Sequence, residues 1–403
     1  MIALAIAAQG NEMQMQEALK DWQQQMAEYQ AALSLAETQE QKETLPPPAE
    51  DELVGKIWRS VSGSTGKRKI ETTGKNGEKK TQEVRTYGYD EPWATPAVVW
   101  LVQRPEAFAK LFEGRQQELS RSAKGLLNSI LTTHYSSPLI AEICHKLAES
   151  TSDLVYRILE KIYQHNPDAT AKSSAALAMS IILSNPAYEN AEGGPAQTRA
   201  KRIFYIKQAL STAPGDAMFG RMTLTQAAEE QIYQLRCLSP GAIPPRMWLT
   251  DTAGKRVAFP QEGKPNLLFF WSPDEEVGLS VMRKQSALLK QYPGLALCPV
   301  IPAAYREMLP QLMQEQGVDI CYSDDDQGTA GRDYRVTQLP LAILVDSRAR
   351  ILYIGYPNMQ LQTALSTCFS KMKQEAEAAP PHPKVQPVIE NAQPPTLRQM
   401  PQL

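Results

Sequence analysis

The sequence predicts a multidomain chain: an α-helical N-terminal region followed by an α/β domain in which helices flank a mixed sheet. Two observations indicate this. Before residue 237, apolar residues recur at helical spacing between short breaks that contain Asn or Pro. After Ser239-Pro240-Gly241, apolar runs of strand length alternate with helical segments. A chain of 403 residues exceeds what one small core supports, so two or three folded units are expected.

The composition limits the classes of partner. With 42% hydrophobic residues, 21% charged residues and a net charge of -2, the chain has no basic excess for nucleic acid or an anionic membrane surface. A membrane-spanning helix needs about 20 apolar residues. The longest apolar runs, "NLLFFW" and "LPLAILV", are much shorter. We therefore predict no nucleic-acid partner and no membrane span.

The cysteines and histidines indicate no metal site, and we expect no cofactor. The cysteines are odd in number, and the sequence contains no C-x-x-C and no H-E-x-x-H motif. This spacing excludes zinc-finger and dithiol redox motifs, and most of the cysteines are expected to be buried small apolar residues. The five cysteines are residues 144, 237, 298, 321 and 368.

The N-terminal 48 residues consist of a short apolar start, a predicted helix and a Pro-rich linker. Residues 1–10, "MIALAIAAQG", have two open interpretations: the end of an export signal that lacks its basic start, or the apolar end of the first helix. Residues 11–44 contain neither Gly nor Pro and are rich in Gln, Glu and Met, which predicts one long helix, solvated or partner-binding. A Pro-rich linker follows and ends near residue 48.

Residues 49–93 are predicted to contain a basic, polar β-hairpin. Two polar strands flank Asn76-Gly77, and this dipeptide favours the positive φ of a tight turn. Within the hairpin segment "KRKIETTGKNGEKKTQEVRT", the glutamates between the lysines and the absence of aromatic residues favour a solvated surface over an anion site.

Residues 94–236 have the pattern of a helical domain. The segment "TSDLVYRILEKIYQHNPD" places Leu154, Ile158 and Ile162 on one apolar stripe that ends at Asn166-Pro167. Three further segments of similar length follow it, separated by short breaks. This pattern predicts stacked antiparallel helices.

Residues 237–376 are predicted to be an α/β domain. A hairpin at "MWLTDTAGKRVAF" precedes the strand "NLLFFW", a helix over 276–292, the strand "LALCPVI" and a helix over 304–316. A short strand, a short helix, the hairpin "LAILVDSRARILYIGY" and a helix over 359–376 complete the unit. The Pro-rich tail, residues 377–403, is predicted to be disordered.

This order of elements, with "LLFFW" and "GTAGRDYRVTQLPLAILVD", resembles thioredoxin-like proteins of the bacterial cell envelope, of the TlpA and alkyl hydroperoxide reductase type. The resemblance implies an envelope or periplasmic location. It also implies a cis peptide bond at Leu339-Pro340, facing the end of the strand that closes with Trp271.

The active site of that family is degenerate here. The family places Cys-x-x-Cys where a helix begins after the strand, because a helix N-terminus stabilises a thiolate. This chain has Ser272 and Glu275 at the two cysteine positions, with Pro273 and Asp274 between them. We interpret the four residues as a capping box, with Ser272 as the N-cap. No catalytic residue is predicted.

Three functions stay open on this basis. The first is a non-catalytic thioredoxin-like module that holds an extended peptide or partner protein in a groove between residues 271–275 and the Leu339-Pro340 turn. The second is a thiol-disulfide oxidoreductase or antioxidant protein that uses Cys298 or Cys321, both in or beside predicted strands. The third is a structural or assembly protein that acts through its helical region.

Overall fold

A computed structural model of the protein divides the chain into two compact units, Met1–Arg236 and Cys237–Leu403. We call them the N-terminal unit and the C-terminal unit. Among the described residues, no helix is both long enough and apolar enough to cross a bilayer. The structure describes residues 2–36, 38–73, 79–185, 188, 193–251, 256–308, 310–311, 314, 322–324 and 328–378.

The N-terminal unit opens with helix α1, Ile2–Leu35, which packs one stripe into the core. Met15, Ala18 and Trp22 form this stripe, so the prediction of a solvated or partner-binding helix is wrong for this face, which packs into the core of the same unit. The single helix predicted over residues 11–44 is also wrong. The Thr38 hydroxyl accepts from the Gln41 amide and starts a separate helix α2, Gln39–Thr44.

Helix α3, Glu50–Ser62, was missed in the region predicted as a hairpin. Its buried residues Leu53, Val54, Ile57 and Val61 recur at three- and four-residue spacing, which is the helical period. The hairpin follows as strands β1, Ser64–Thr73, and β2, Lys79–Tyr87, paired antiparallel. The predicted turn at Asn76-Gly77 lies outside the described residues.

The rest of the N-terminal unit is mostly helical, as the sequence predicts. Helix α9 lies between α8 and α10, and its small side chains are buried along most of its length. One π-helical turn, Ile130–His134, follows α6 and buries His134. The regular elements are α4 Thr95–Val102, α5 Pro105–Lys110, α6 Gln116–Ser129, α7 Cys144–Leu147, α8 Asp153–His165, α9 Ala169–Ile182, α10 Pro195–Thr212, β3 Met218–Phe219, β4 Met222–Thr223 and α11 Leu224–Cys237.

The C-terminal unit is built on a mixed seven-stranded sheet with the order β11-β10-β7-β8-β9-β5-β6. Strands β7 and β8 run parallel, and β10 pairs antiparallel with both β7 and β11. The strands are β5 Met247–Asp251, β6 Arg256–Phe259, β7 Asn266–Phe270, β8 Ala296–Ile301, β9 Tyr322–Ser323, β10 Leu341–Val345 and β11 Ile351–Gly355. The prediction that "NLLFFW", "LALCPVI" and "LAILV" are neighbours in one sheet is confirmed.

The helices of this unit differ from the prediction in two places. The helix predicted over residues 276–292 is two helices, α12 Glu276–Met282 and α13 Gln285–Gln291. The segment predicted as a helix from residue 304 begins with a 3₁₀ turn, Ala303–Met308. Much of the remainder of that segment lies outside the described residues. The short helix α14, Thr329–Asp333, and the last helix α15, Met359–Ala378, agree with the prediction.

Candidate functional site

The site is centred on the end of β7, where the apolar strand stops at Trp271. The Trp271 side chain is fully buried in the core on one face of the sheet, and its backbone N–H donates to Val300 at 3.0 Å. These contacts fix the chain direction as it leaves the sheet. Ser272 comes next and is also buried. Ser272 and the residues up to Glu275 therefore follow a buried strand end.

The predicted capping box at residues 272–275 is wrong. The N-cap of α12 is Glu275, whose carboxylate accepts from the amides of Val277 and Gly278 at 3.2 and 2.5 Å. Ser272 lies one turn earlier, and its hydroxyl accepts from the Asp274 amide at 3.3 Å. Pro273 and Asp274 form the connecting turn, so the N-cap lies three residues later than the predicted capping box placed it.

The Leu339-Pro340 peptide bond is cis, as the resemblance implied. Gly278, in the first turn of α12, lies close to both the Leu339-Pro340 segment and the end of β7. A Cβ atom on Gly278 would lie 3.1 Å from Trp271 Cβ and 3.8 Å from Pro340 Cβ. The absence of a side chain at Gly278 thus lets the helix start pack against both residues.

A groove of about 470 Å³ lies beside the cis-proline segment. Residues 271–275 do not line it, although the sequence places them in the same groove as Leu339 and Pro340. Of its lining residues, only Leu339 and Pro340 were predicted from the sequence as site residues, and the other six were not. The groove is lined by Arg335, Thr337, Gln338, Leu339, Pro340, Leu341, Gly355 and Tyr356.

The backbone at the groove has unused hydrogen-bonding capacity. In the described part of the chain, Thr337, Gln338 and Leu339 lie outside any helix or strand and make no hydrogen bond. Strand β10 begins two residues later, at Leu341, which pairs with Phe270. A stretch of free N–H and C=O groups next to a sheet resembles the edge to which an extended peptide binds.

Ser272 lacks what a serine nucleophile needs. A hydroxyl reacts readily only when a nearby base accepts its proton. The described part of the C-terminal unit contains no histidine, since the chain's four are residues 134, 145, 165 and 382. Asp274, the nearest carboxylate in sequence, accepts from the Tyr305 hydroxyl. This arrangement binds the residues to one another and activates no nucleophile.

The alternative redox residues give little support to thiol chemistry. Cys298 is fully buried in β8, and burial raises the pKa of its thiol to about 12. Its polar neighbours Gln261 and Lys264 precede β7, whereas the candidate site follows it. Cys321 lies outside the described residues. Cys368 is buried in α15, where burial and the charge of Asp346 raise the thiol pKa.

No group of three or more His, Cys, Asp or Glu side chains among the described residues is arranged to hold a metal ion. Carboxylates at the site are already engaged by amides or hydroxyls, as described for Glu275 and Asp274.

Comparison with known proteins finds similarity to solved structures only. No family model matches the sequence, and no curated protein matches it. The thioredoxin domain of a thiol-disulfide oxidoreductase from Bacteroides vulgatus is 18% identical, with 33% of this chain and 99% of that chain covered and a TM-score of 0.30. A thiol:disulfide interchange protein from Bacteroides sp. is 18% identical over 34% of this chain and 95% of that chain, with a TM-score of 0.30. StoA from Bacillus subtilis is 15% identical over 31% of this chain and 98% of that chain, with a TM-score of 0.27.

The strand order itself defines the fold of the C-terminal unit. Strands β8, β7, β10 and β11 are adjacent in that order, with β7 and β8 parallel and the last two antiparallel. The C-terminal unit therefore has a thioredoxin-like fold, and Ser272 and Glu275 follow the end of its strand β7.

Proposed function

We propose that the C-terminal unit is a non-catalytic binding module that holds an extended peptide of a partner protein. The observation that carries the proposal is the unpaired backbone of Thr337, Gln338 and Leu339 beside a groove of about 470 Å³. A peptide laid along these residues would complete their hydrogen bonds, and backbone pairing of this kind gives affinity with little sequence restriction.

Side chains at the ends of the groove would add specificity. Tyr356 is half exposed and follows β11, so its ring offers an apolar surface to a peptide side chain. Arg335 lines the same groove and adds positive charge. We therefore expect a preference for peptides with an apolar residue near an acidic one.

The binding role is favoured over catalysis by the chemistry of the strand end. Glu275 is the cap that starts α12, and the described part of the unit holds no histidine that could act as a base for Ser272. In the described part of the unit, the cysteine thiols at 298 and 368 are buried. The oxidoreductase alternative is left with the partly buried Cys237 and with Cys321, which lies outside the described residues. The resemblance to envelope proteins supports a periplasmic or envelope location, which fractionation of the producing cells would test.

The proposal is tested by selecting binders from a displayed library of random linear peptides and measuring one of them by calorimetry. We expect Tyr356→Ala to weaken binding about tenfold. Trp248→Ala is the matched control, because Trp248 is exposed on β5, towards the opposite edge of the sheet. Equal effects of the two substitutions, or no selectable binder, would refute the proposed groove.

A second assay separates binding from redox chemistry. Insulin reduction with dithiothreitol as the reductant, and peroxide consumption with the same reductant, should proceed at the rate of dithiothreitol alone. Acceleration that Cys321→Ser abolishes would establish the oxidoreductase alternative instead.

A further inference from the structure

Helix α10 has two faces, and only one is covered by the described part of the fold. The covered face packs Thr198, Arg202, Ile206 and Ala209 into the N-terminal unit. On the other side, exposed residues recur at spacings of four, three, four and three. These five are Ala196, Ala200, Ile203, Lys207 and Leu210.

This spacing is the heptad pattern by which one helix packs along another. Residues repeated four and three apart form a single seam, and each fits between the side chains of a facing helix. Ile203 is 38% exposed and Leu210 is 40% exposed on the seam, and Phe204 beside it is 48% exposed. A helix face in water is normally polar, so an apolar heptad seam indicates a surface that a partner covers.

Charge identifies the kind of partner. Helix α10 contains no acidic residue, and the exposed Lys207 places a positive charge within the seam itself, whereas Arg202 lies on the covered face. Two copies of this helix packed together would bring like charges into proximity, which disfavours self-association. A facing helix with glutamates beside its apolar seam would complement the charge instead.

We propose that the exposed seam of α10 binds an acidic amphipathic helix of a partner protein. Ile203 and Leu210 pack against the apolar seam of that helix, and Phe204 extends the apolar contact at its side. Lys207 lies within the seam, where a single lysine fixes register and pairs with an acidic residue. The site belongs to the N-terminal unit and is independent of the proposed peptide groove, so either can fail alone.

The test uses a synthetic amphipathic helix of about three heptads, because shorter helices are marginal in water. Its seam carries leucine and its flanking positions glutamate, and a second peptide has lysine at those flanking positions. Fluorescence anisotropy with the full chain should show binding of the acidic peptide that weakens as salt is added. The lysine peptide should bind at least tenfold more weakly.

Variants then locate the surface. Ile203→Ser should weaken the acidic peptide about tenfold, whereas Ile243→Ser, at an exposed isoleucine of the C-terminal unit, should leave its affinity unchanged. Lys207→Glu should reverse the preference between the acidic and lysine peptides. Circular dichroism at increasing temperature checks that each variant is folded.

Four outcomes would overturn the proposal: equal binding of the two peptides, insensitivity to Ile203→Ser, preferential binding to phosphatidylglycerol vesicles, or a dimer in solution that Ile203→Ser dissociates. The last two would assign the seam to a lipid surface or to a second copy of this chain. A lack of any acidic-peptide binding at micromolar concentrations would also reject it.

Discussion

At the scale of single residues, Glu275 has the clearest structural role, because it caps α12 with two amide hydrogen bonds. Replacing a capping side chain with alanine costs about 1 kcal/mol. Glu275→Ala should therefore lower the free energy of unfolding by about that amount. Glu276→Ala, which removes the neighbouring charge but not the cap, should cost clearly less. Urea unfolding of the two variants measures both, and equal losses would contradict the assignment of Glu275 as N-cap.

His134 should make the N-terminal unit sensitive to acid. Its ring is buried, with Nε2 donating to the Tyr89 carbonyl at 2.8 Å and Nδ1 paired with the Thr95 hydroxyl at 2.8 Å. Burial is the main cause that lowers the His134 pKa from its ordinary value of 6.5. The unfolded chain then binds the extra proton at a higher pH than the folded chain.

Stability from His134 is therefore complete above pH 6.5 and falls as the pH drops from 6.5 towards the lowered folded pKa. His134→Gln, which cannot take up the proton, should reduce the loss of melting temperature between pH 7.5 and pH 5. His165→Gln, at an exposed histidine, is the control and should leave that loss unchanged. An unaltered pH dependence in His134→Gln would show that other groups dominate.

Restoring the two thiols tests whether the strand end still has the shape of a redox site. Ser272→Cys with Glu275→Cys should create insulin-reducing activity in the presence of dithiothreitol, since Trp271 and Pro340 both pack close to Gly278 in the first turn of α12. Asp274 between the thiols should limit the rate by disfavouring a thiolate. Ser272→Cys alone is the control and should remain inactive. If the double variant folds but stays inactive, the geometry has diverged from the family.

At the scale of elements, β7 should contribute strongly to the stability of the C-terminal unit, because all five of its residues are buried and it pairs with both β8 and β10. Phe269 lies in the core cluster on one face, so Phe269→Ala should cost about 3–5 kcal/mol. Leu352→Ala on β11, at an exposed position, should cost less than about 0.5 kcal/mol. Chemical denaturation distinguishes these, and similar costs would contradict the central position of β7.

The strands of the C-terminal unit could be predicted because their fully apolar runs have no alternative to burial in a sheet. The helix starts were harder to predict. Ser272-Pro273-Asp274-Glu275 satisfies the pattern of a capping box, yet the turn at Pro273-Asp274 shifts the N-cap to Glu275. Local sequence favours Ser272, because serine is a preferred N-cap residue. The observed N-cap is Glu275 instead, in a helix start where Gly278 packs against Trp271 and Pro340.

Tertiary contacts also explain what was missed in the groove. Arg335 and Tyr356 are distant in sequence from the end of β7. They line the same groove because β10, which follows Arg335, pairs with β11, which precedes Tyr356. The helix α3 was overlooked because the charged hairpin dominates the composition of residues 49–93, although Leu53, Ile57 and Val61 have helical spacing. The sequence of α10 does not show which of its faces is exposed, because that depends on which face packs into the N-terminal unit.

At the scale of the whole molecule, the chain consists of two units with separate candidate surfaces. The C-terminal unit has its own seven-stranded sheet and its own core cluster. A fragment spanning residues 237–378 should therefore fold alone and give a dispersed amide NMR spectrum. A collapsed, undispersed spectrum would show that the unit depends on the rest of the chain.

The most direct test of the peptide-binding proposal is an NMR titration of the full chain with a selected linear peptide. The amide signals of Thr337, Gln338 and Leu339 should shift on binding, because these groups lack hydrogen-bond partners in the described structure and would acquire them from the peptide. Signals from β5, which lies towards the opposite edge of the sheet from β10 and β11, should stay unchanged. Binding that leaves the three amides unshifted, or that forms a mixed disulfide with the protein, would contradict a non-catalytic groove at the cis-proline segment.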